Sequence, residues 1–283
     1  MSSIEDALQL YAQNIDVSPL ISKEEALFDA EILLGHVLNC DRTYLKTWPE
    51  KIISNAQLEV YQGLIEQRSE GVPVAHLLGV RDFWTLELFV SPCTLIPRPD
   101  TEILIEHALE QFLPEDAKVL DLGTGTGAIA LALARERPKW SVTASDVFPE
   151  VVALARKNAL HNALENVSIV CSAWFEVFEK CKFHLIVSNP PYIDSLDPHL
   201  SQGDLRFEPN SALVAGDQGM ADIRHIVETA LNHMLPGGWL MIEHGYQQGE
   251  RVRSVFVAKG YQQVKTIRDF GGNERVTMGC WGL

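Results

Sequence analysis

Lys118-Val119-Leu120-Asp121-Leu122-Gly123-Thr124-Gly125-Thr126-Gly127-Ala128-Ile129-Ala130-Leu131-Ala132-Leu133-Ala134 spells out a strand, a turn and a helix without interruption. The short apolar run to Leu122 predicts a buried strand, and the alanine–leucine run after Gly127 predicts a helix. Between them, glycines at alternate positions let a ligand approach bare backbone and place it near a helix N-terminus. A second strand, Ser141-Val142-Thr143-Ala144, ends at Asp146. An acid at that point is where α/β folds grip a ribose diol, each carboxylate oxygen accepting from one hydroxyl. The expected fold is therefore α/β, with a parallel sheet and a nucleotide-like ligand on the glycine turn.

The turn alone does not say which nucleotide. Read as G-x-G-x-x-A through Ala128, it also satisfies the dinucleotide fingerprint. A second stretch decides between the two. Phe183-His184-Leu185-Ile186-Val187 predicts another buried strand, followed by Ser188-Asn189-Pro190-Pro191-Tyr192-Ile193. Two prolines stop the strand, since neither has an N–H to continue a ladder. By itself Asn-Pro is an ordinary turn signal. At a strand's carboxyl end in an α/β sheet, however, Asn189 and the Pro190 carbonyl can clamp a planar NH2 group, with Tyr192 stacking on its face. A hydride-transfer enzyme has no need of such a clamp. Asp121, two residues before Gly123, can help hold an ammonium, directly or through water, and Gly127 opens space for an amino-acid moiety. Together these favour S-adenosylmethionine over a dinucleotide.

Away from these two stretches, 23 basic against 38 acidic residues give a net charge of −15 over 283 residues. That balance argues against a phosphate-neutralising surface, so direct nucleic-acid binding is not expected and a protein or small-molecule partner is. Cys40, Cys93, Cys171, Cys181 and Cys280 include no C-x-x-C pair, which predicts neither a disulfide framework nor a zinc site; each is expected to be a buried, reduced thiol. The nine histidines show no H-x-x-x-H spacing, and His184 and His244 are expected to be solvated or satisfied in the core. No metal is expected. The start of the chain has no signal-peptide pattern and no apolar run reaches about 18 residues, so the expectation is a cytoplasmic protein without a membrane span.

Residues 1–72 read as a small all-α domain. Ile4, Ala7, Leu8, Tyr11 and Ala12 repeat with helical spacing, Ser22 and Glu25 have capping-box form, and Ser54 with Gln57 starts another helix. This domain either recognises a macromolecular partner or covers the larger one. Residues 73–99 are expected to link the domains, with Phe83–Val90 alternating as a β-hairpin. Ile96-Pro97-Arg98-Pro99-Asp100-Thr101-Glu102 opens a helix, and Arg98, its lone cation, sits either on the surface or toward the cofactor cleft. Residues 100–283 form the cofactor domain. Within it, the connection from Asp194 to Met220 is long enough to be a lid over the substrate, anchored by Arg206 and Glu208. The last two strands, near 263–267 and 275–281, have no helix between them and are expected to form an antiparallel edge hairpin.

Asp-Leu-Gly-Thr-Gly-Thr-Gly with Ser-Asn-Pro-Pro-Tyr-Ile resembles the class I S-adenosylmethionine-dependent amino-methyltransferases. Adding Ile96–Glu102, Arg206-Phe207-Glu208-Pro209 and Asn273-Glu274-Arg275, the chain resembles the peptide chain release factor N5-glutamine methyltransferases over essentially its whole length. The resemblance implies a Rossmann-like sheet behind an all-α domain. It also implies methyl transfer from S-adenosyl-L-methionine, leaving S-adenosyl-L-homocysteine, to the glutamine of the GGQ motif of class 1 release factors by a monomeric enzyme. By the same resemblance, Gly123, Thr124, Gly125, Thr126 and Gly127 wrap the methionine part, Asp146 binds the ribose and Trp174 packs near the adenine. Asn189, Pro190, Pro191 and Tyr192 hold the glutamine, and Asn189, Pro190 and Tyr192 are the catalytic candidates. Ala173 stands where such enzymes usually carry an acid before the tryptophan, which leaves adenine recognition to backbone groups or stacking. The alternatives are an adenine-N6 type nucleic-acid methyltransferase and a dinucleotide-binding protein.

Overall fold

The computed structural model describes residues 2–14 and 23–282. They form two compact units, one of Met1–Gly79 with Pro198–Phe207 and one of Val80–Asp197 with Glu208–Leu283. Ser22, and the side chains of Tyr11 and Ala12, fall outside the described residues.

The smaller unit consists of helices Ile4–Asn14, Lys23–Leu38, Arg42–Thr47, Asn55–Ser69 and Val74–Leu78. Ser54 and Gln57 close the expected capping box: Ser54 Oγ accepts from Gln57 N (3.2 Å) while Gln57 Oε1 accepts from Ser54 N (3.0 Å). Ile4, Ala30, Leu33, Leu34, Leu45 and Tyr61 supply its core. Arg68 is buried within this unit and pairs with Asp29 Oδ2 at 2.8 Å. Its Nη1 also lies 3.4 Å from Asp204 Oδ1, a residue of the Pro198–Phe207 stretch.

In the larger unit, strands β1 (Val80–Phe83) and β2 (Leu86–Phe89) make an antiparallel hairpin. The main sheet contains β3 (Lys118–Leu122), β4 (Ser141–Asp146), β5 (Val167–Cys171), β6 (Phe183–Ser188), β7 (Met234–Glu243), β8 (Gln262–Arg268) and β9 (Glu274–Trp281). Their order is β5-β4-β3-β6-β7-β9-β8. The first five pair in parallel, while β9 runs antiparallel to both β7 and β8. The expected hairpin thus occupies the edge, with β9 inserted between β7 and β8.

Helices on both faces explain why the strands read as continuous apolar runs. Val119, Leu185, Val187 and Met241 point to the layer containing Ala128–Glu136 and Pro149–His161. Their neighbours Leu120, Ile186, Leu240 and Ile242 point to the other layer, with Ile223, Ile226, Val252 and Phe256. Residues 73–99 do not stand apart as one connector. Val74–Leu78 is a helix of the smaller unit, whereas Phe83, Leu86 and Leu88 enter the core of the larger one.

From β3 the chain winds outward through β4 and β5, then returns to place β6 on the other side of β3. This is a topological switch point, where the carboxyl ends of neighbouring strands diverge and leave a crevice. Leu122 and Ser188 are register partners there, so the residues that follow them, Gly123 and Asn189, emerge side by side.

Asn158, fully buried on the helix Pro149–His161, fastens this end of the sheet to the hairpin. Its Nδ2 donates to Phe89 O (3.0 Å) and Thr126 O (2.8 Å), and its Oδ1 accepts from Phe89 N (2.7 Å). Asn158→Leu keeps the volume but leaves these backbone groups without their partner. Each buried polar group so stranded costs about 1–3 kcal/mol, so the urea midpoint is expected to fall by an amount equivalent to about 2–3 kcal/mol.

Candidate active site

The glycine turn is built on left-handed backbone. Gly123, Gly125 and Gly127 have φ of 68°, 56° and 90°, values that side-chain-bearing residues rarely adopt. Nothing lies within 4 Å of where a Cβ on Gly125 would stand, so this residue faces open space. A Cβ on Gly123 would lie 3.5 Å from the Trp174 indole. Gly127 instead caps the helix Ala128–Glu136 and packs toward Leu131, away from the cavity.

Beneath the turn lies Asp121, completely buried. Its Oδ2 accepts from Thr124 Oγ1 (2.6 Å) and from Ala130 N (3.2 Å). Burial pushes this carboxyl up to about 7, although the two hydrogen bonds oppose the shift. Asp121 does not itself line the cavity and fixes the loop from below, which leaves its expected help with a ligand ammonium to run through water. The physical reason is β-strand periodicity, which turns residue 121 into the helix-covered layer.

Asp146 ends β4 as expected and faces the cavity. Its Oδ2 accepts from Gly125 N (3.1 Å) and its Oδ1 from Phe148 N (3.2 Å). Partial burial raises its pKa while these backbone donors lower it. Each oxygen keeps a further lone pair for a hydroxyl. Trp174, with φ of 47°, lines the cavity beside Phe148, Ala173 and Ser172. The Ser172 hydroxyl is engaged with Trp174 O (3.1 Å), and Ala173 brings no carboxylate to this part of the cavity.

Across the crevice, Asn189 and Pro191 line the same cavity, which encloses about 1060 Å³ of empty space including its open mouth. Pro190 is buried, and neither it nor Tyr192 lines this cavity. Tyr192 packs against the core of the second layer, and burial pushes its phenol well above the ordinary range. Two groups that sequence reasoning missed hold the Tyr192 backbone. Gln248 Nε2 donates to Tyr192 O at 2.9 Å, and Gly219, with φ of 77°, approaches so closely that a Cβ there would lie 2.0 Å from the same oxygen.

Arg98 faces the cavity, and its Nη2 bonds both oxygens of Glu208 at 2.9 Å. Glu208 is buried and also accepts from Ile96 N (3.2 Å). The segment expected to form a lid is divided. Pro198–Phe207, with Arg206, belongs to the smaller unit, whereas Glu208 anchors its return and Ser211 and Ala212 line the cavity. Of the cysteines, Cys280 is buried, Cys93 is half-buried at the cavity, and Cys171 and Cys181 are exposed, contrary to the expectation of five buried thiols. His244 is satisfied in the core by Thr277 Oγ1 at 2.8 Å. Among the described residues no group of three or more His, Cys, Asp or Glu can hold a metal, and no helix is long and apolar enough to cross a membrane.

Sequence reasoning also missed Thr101 and Glu243. Asn189 Nδ2 donates to Thr101 Oγ1 at 3.3 Å, and Glu243 lies fully buried next to both. A capping threonine and the last residue of a strand carry no local sign of this, because they meet only through the sheet.

A parallel sheet with an antiparallel edge, a glycine-loop cavity with an acid on the neighbouring strand, and an Asn-Pro-Pro-Tyr rim together define a class I, Rossmann-like methyltransferase. The chain matches the PrmC N-terminal domain over residues 18–79 and the methyltransferase small domain over 99–203. It is 54% identical over 263 residues to the release factor glutamine methyltransferase of Shigella dysenteriae, covering 93% of this chain and 95% of that protein. The Vibrio cholerae enzyme of the same name is 50% identical over 278 residues, 98% of this chain and 96% of that one. Among solved structures, a methyltransferase from Pyrococcus furiosus shares the fold at a TM-score of 0.54 and 22% identity, over 78% of this chain and 98% of its own. The chain belongs to the release factor glutamine methyltransferase family.

Proposed function

We propose that the protein transfers the methyl group of S-adenosylmethionine to the side-chain amide nitrogen of the glutamine in the GGQ motif of a class 1 release factor. The observation that carries this is the emergence of Asn189 beside Gly123 at the switch point, so that the Asn189 side-chain amide and the glycine loop share one cavity. The cavity suits the cofactor: Gly125 leaves bare backbone, Asp146 retains lone pairs for a diol, and Trp174 and Phe148 offer aromatic faces. When bound, S-adenosylmethionine would supply an electrophilic methyl carbon and depart as S-adenosylhomocysteine, with the methylated amide nitrogen releasing one proton to solvent.

A carboxamide nitrogen is a weak nucleophile because its lone pair is delocalised into the carbonyl. What this chain supplies is position. Asn189 Oδ1 and the Pro190 carbonyl accept the two amide hydrogens, drawing electron density toward nitrogen and fixing the direction of its lone pair. Alignment of this kind contributes roughly 7–11 kcal/mol when the geometry is good. Tyr192, packed into the second layer with its backbone fixed by Gln248 and Gly219, serves the site by holding the Asn-Pro-Pro turn in place. The helical unit, with its own core, serves partner recognition.

The test is incubation with isotopically labelled donor and either release factor or RNA and DNA, followed by locating the label. Label on the glutamine of the release factor is the expected result. Label on nucleic acid would replace this reading with the adenine-N6 type, which the net charge of −15 disfavours. Titration with S-adenosylmethionine and with NADH separates the dinucleotide alternative, for which saturable NADH binding would speak.

A further inference from the structure

Glu243 ends β7 almost completely buried, and its Oε2 has no hydrogen-bond partner among the described residues. Burying a carboxyl with one oxygen unsatisfied costs stability, and an apolar side chain would serve the core better. Its neighbours indicate a different role. Burial pushes its pKa up to about 7, while Thr101, the Arg275 charge and Asn189 pull it down and Asp100 pushes it further up. The charged and titratable groups facing it are thus Arg275 on β9, Asp100 before the helix Glu102–Leu109, and Tyr192 after β6. Arg275 is itself held by Asp269 (3.0 Å) and Asp100 (3.2 Å).

An ionised carboxylate only accepts hydrogen bonds. The side chains of Thr101 and Asn189 both hydrogen-bond to it, and Asn189 Nδ2 also donates to Thr101 Oγ1 at 3.3 Å. The Asn189 amide is then forced into one of its two orientations, with NH2 turned inward and Oδ1 turned toward the cavity. Protonated Glu243 is a donor, which frees the Thr101 hydroxyl to point at Asn189 and favours the reversed amide. The rim then offers a donor where the reaction needs an acceptor.

We infer that Glu243, acting together with Thr101, is a positioning residue that locks the Asn189 side-chain amide with its oxygen toward the substrate nitrogen. The inference rests on the amide-clamp reading above and extends it to a group that does not touch the substrate.

The experiment compares the wild-type protein with Glu243→Gln, Thr101→Val and Thr101→Ser in steady-state methylation of release factor between pH 6 and 8.5, with cofactor affinity measured separately by calorimetry. Wild-type kcat is expected to rise with pH through about 7, as Glu243 ionises. Glu243→Gln and Thr101→Val are expected to lower kcat by roughly 10- to 100-fold, to lose that pH step and to leave cofactor affinity unchanged. Thr101→Ser, which keeps the hydroxyl, is expected to retain both kcat and the pH step. Should Glu243→Gln fail to fold, the Thr101→Val and Thr101→Ser pair decides. Wild-type kcat and an unchanged pH profile in Thr101→Val would overturn the inference, as would the same result in a folded Glu243→Gln. A wild-type protein that methylates no release factor would overturn the proposed function and this inference together, which distinguishes the two failures.

Discussion

Asn189→Ala is expected to bind S-adenosylmethionine with near wild-type affinity while kcat for release-factor methylation falls roughly 10²–10³-fold, a loss of about 3–4 kcal/mol in the transition state, the range found when one positioned hydrogen-bonding group is removed from a preorganised site. The side chain contributes one carbonyl oxygen to the clamp, and the Pro190 carbonyl remains, so the residual rate stays above zero. Asn189 is only half-buried, and its partners are the Thr101 and Glu243 side chains, so the fold should survive the truncation. Calorimetric titration with the cofactor, beside single-turnover methylation, separates the two effects. Unchanged turnover in a variant that binds cofactor would mean that the amide nitrogen is not held by residue 189, and the proposed mechanism would fall.

Asp146→Ala should produce the complementary result. Cofactor affinity is expected to fall about 10²-fold, roughly 3 kcal/mol, since hydrogen bonds to a charged group contribute about 1.5–3 kcal/mol each and two ribose hydroxyls lose their acceptor. Gly125 N and Phe148 N lose theirs as well, so part of the effect comes through a loosened glycine loop. Asp146→Asn, which keeps one acceptor oxygen, should lie between the two. The wild-type protein adds a pH signature. Because burial raises the Asp146 pKa, cofactor affinity should decline on acidification sooner than an exposed aspartate would cause, as the protonated form no longer accepts through both oxygens. Saturating cofactor should restore most of the turnover of either variant. If it does not, Asp146 has a part in the chemical step beyond binding.

Local patterns carried much of this protein. The strand–glycine–helix stretch from Lys118 to Ala134 predicts its own conformation, because alternate glycines and an alanine–leucine run admit few backbone solutions. The Ser54–Gln57 capping box and the double proline after Asn189 are equally short-range signals, each satisfied within three or four residues. Asp121 shows the limit of that kind of reasoning. Its position in the motif suggested contact with the ligand, yet the pleat of β3 turns it beneath the loop. Residues 73–99 show another: their alternation predicted a hairpin, but not that Asn158, some seventy positions away, would bind it into the larger core.

The chain alone was sufficient for the fold class, the glycine turn, the acid ending β4 and the double proline that stops β6, since each is a local conformation or chemical type written in consecutive residues. The meeting of Asn189 with Gly123 across the β3–β6 switch, the inward turn of Asp121 and the burial of Glu243 behind Thr101 and Asn189 were settled only by tertiary structure. The meetings of Asn189, Gly123, Thr101 and Glu243 depend on strand order and register, which join residues from 54 to 142 positions apart, and no short window of sequence contains both members of such a pair.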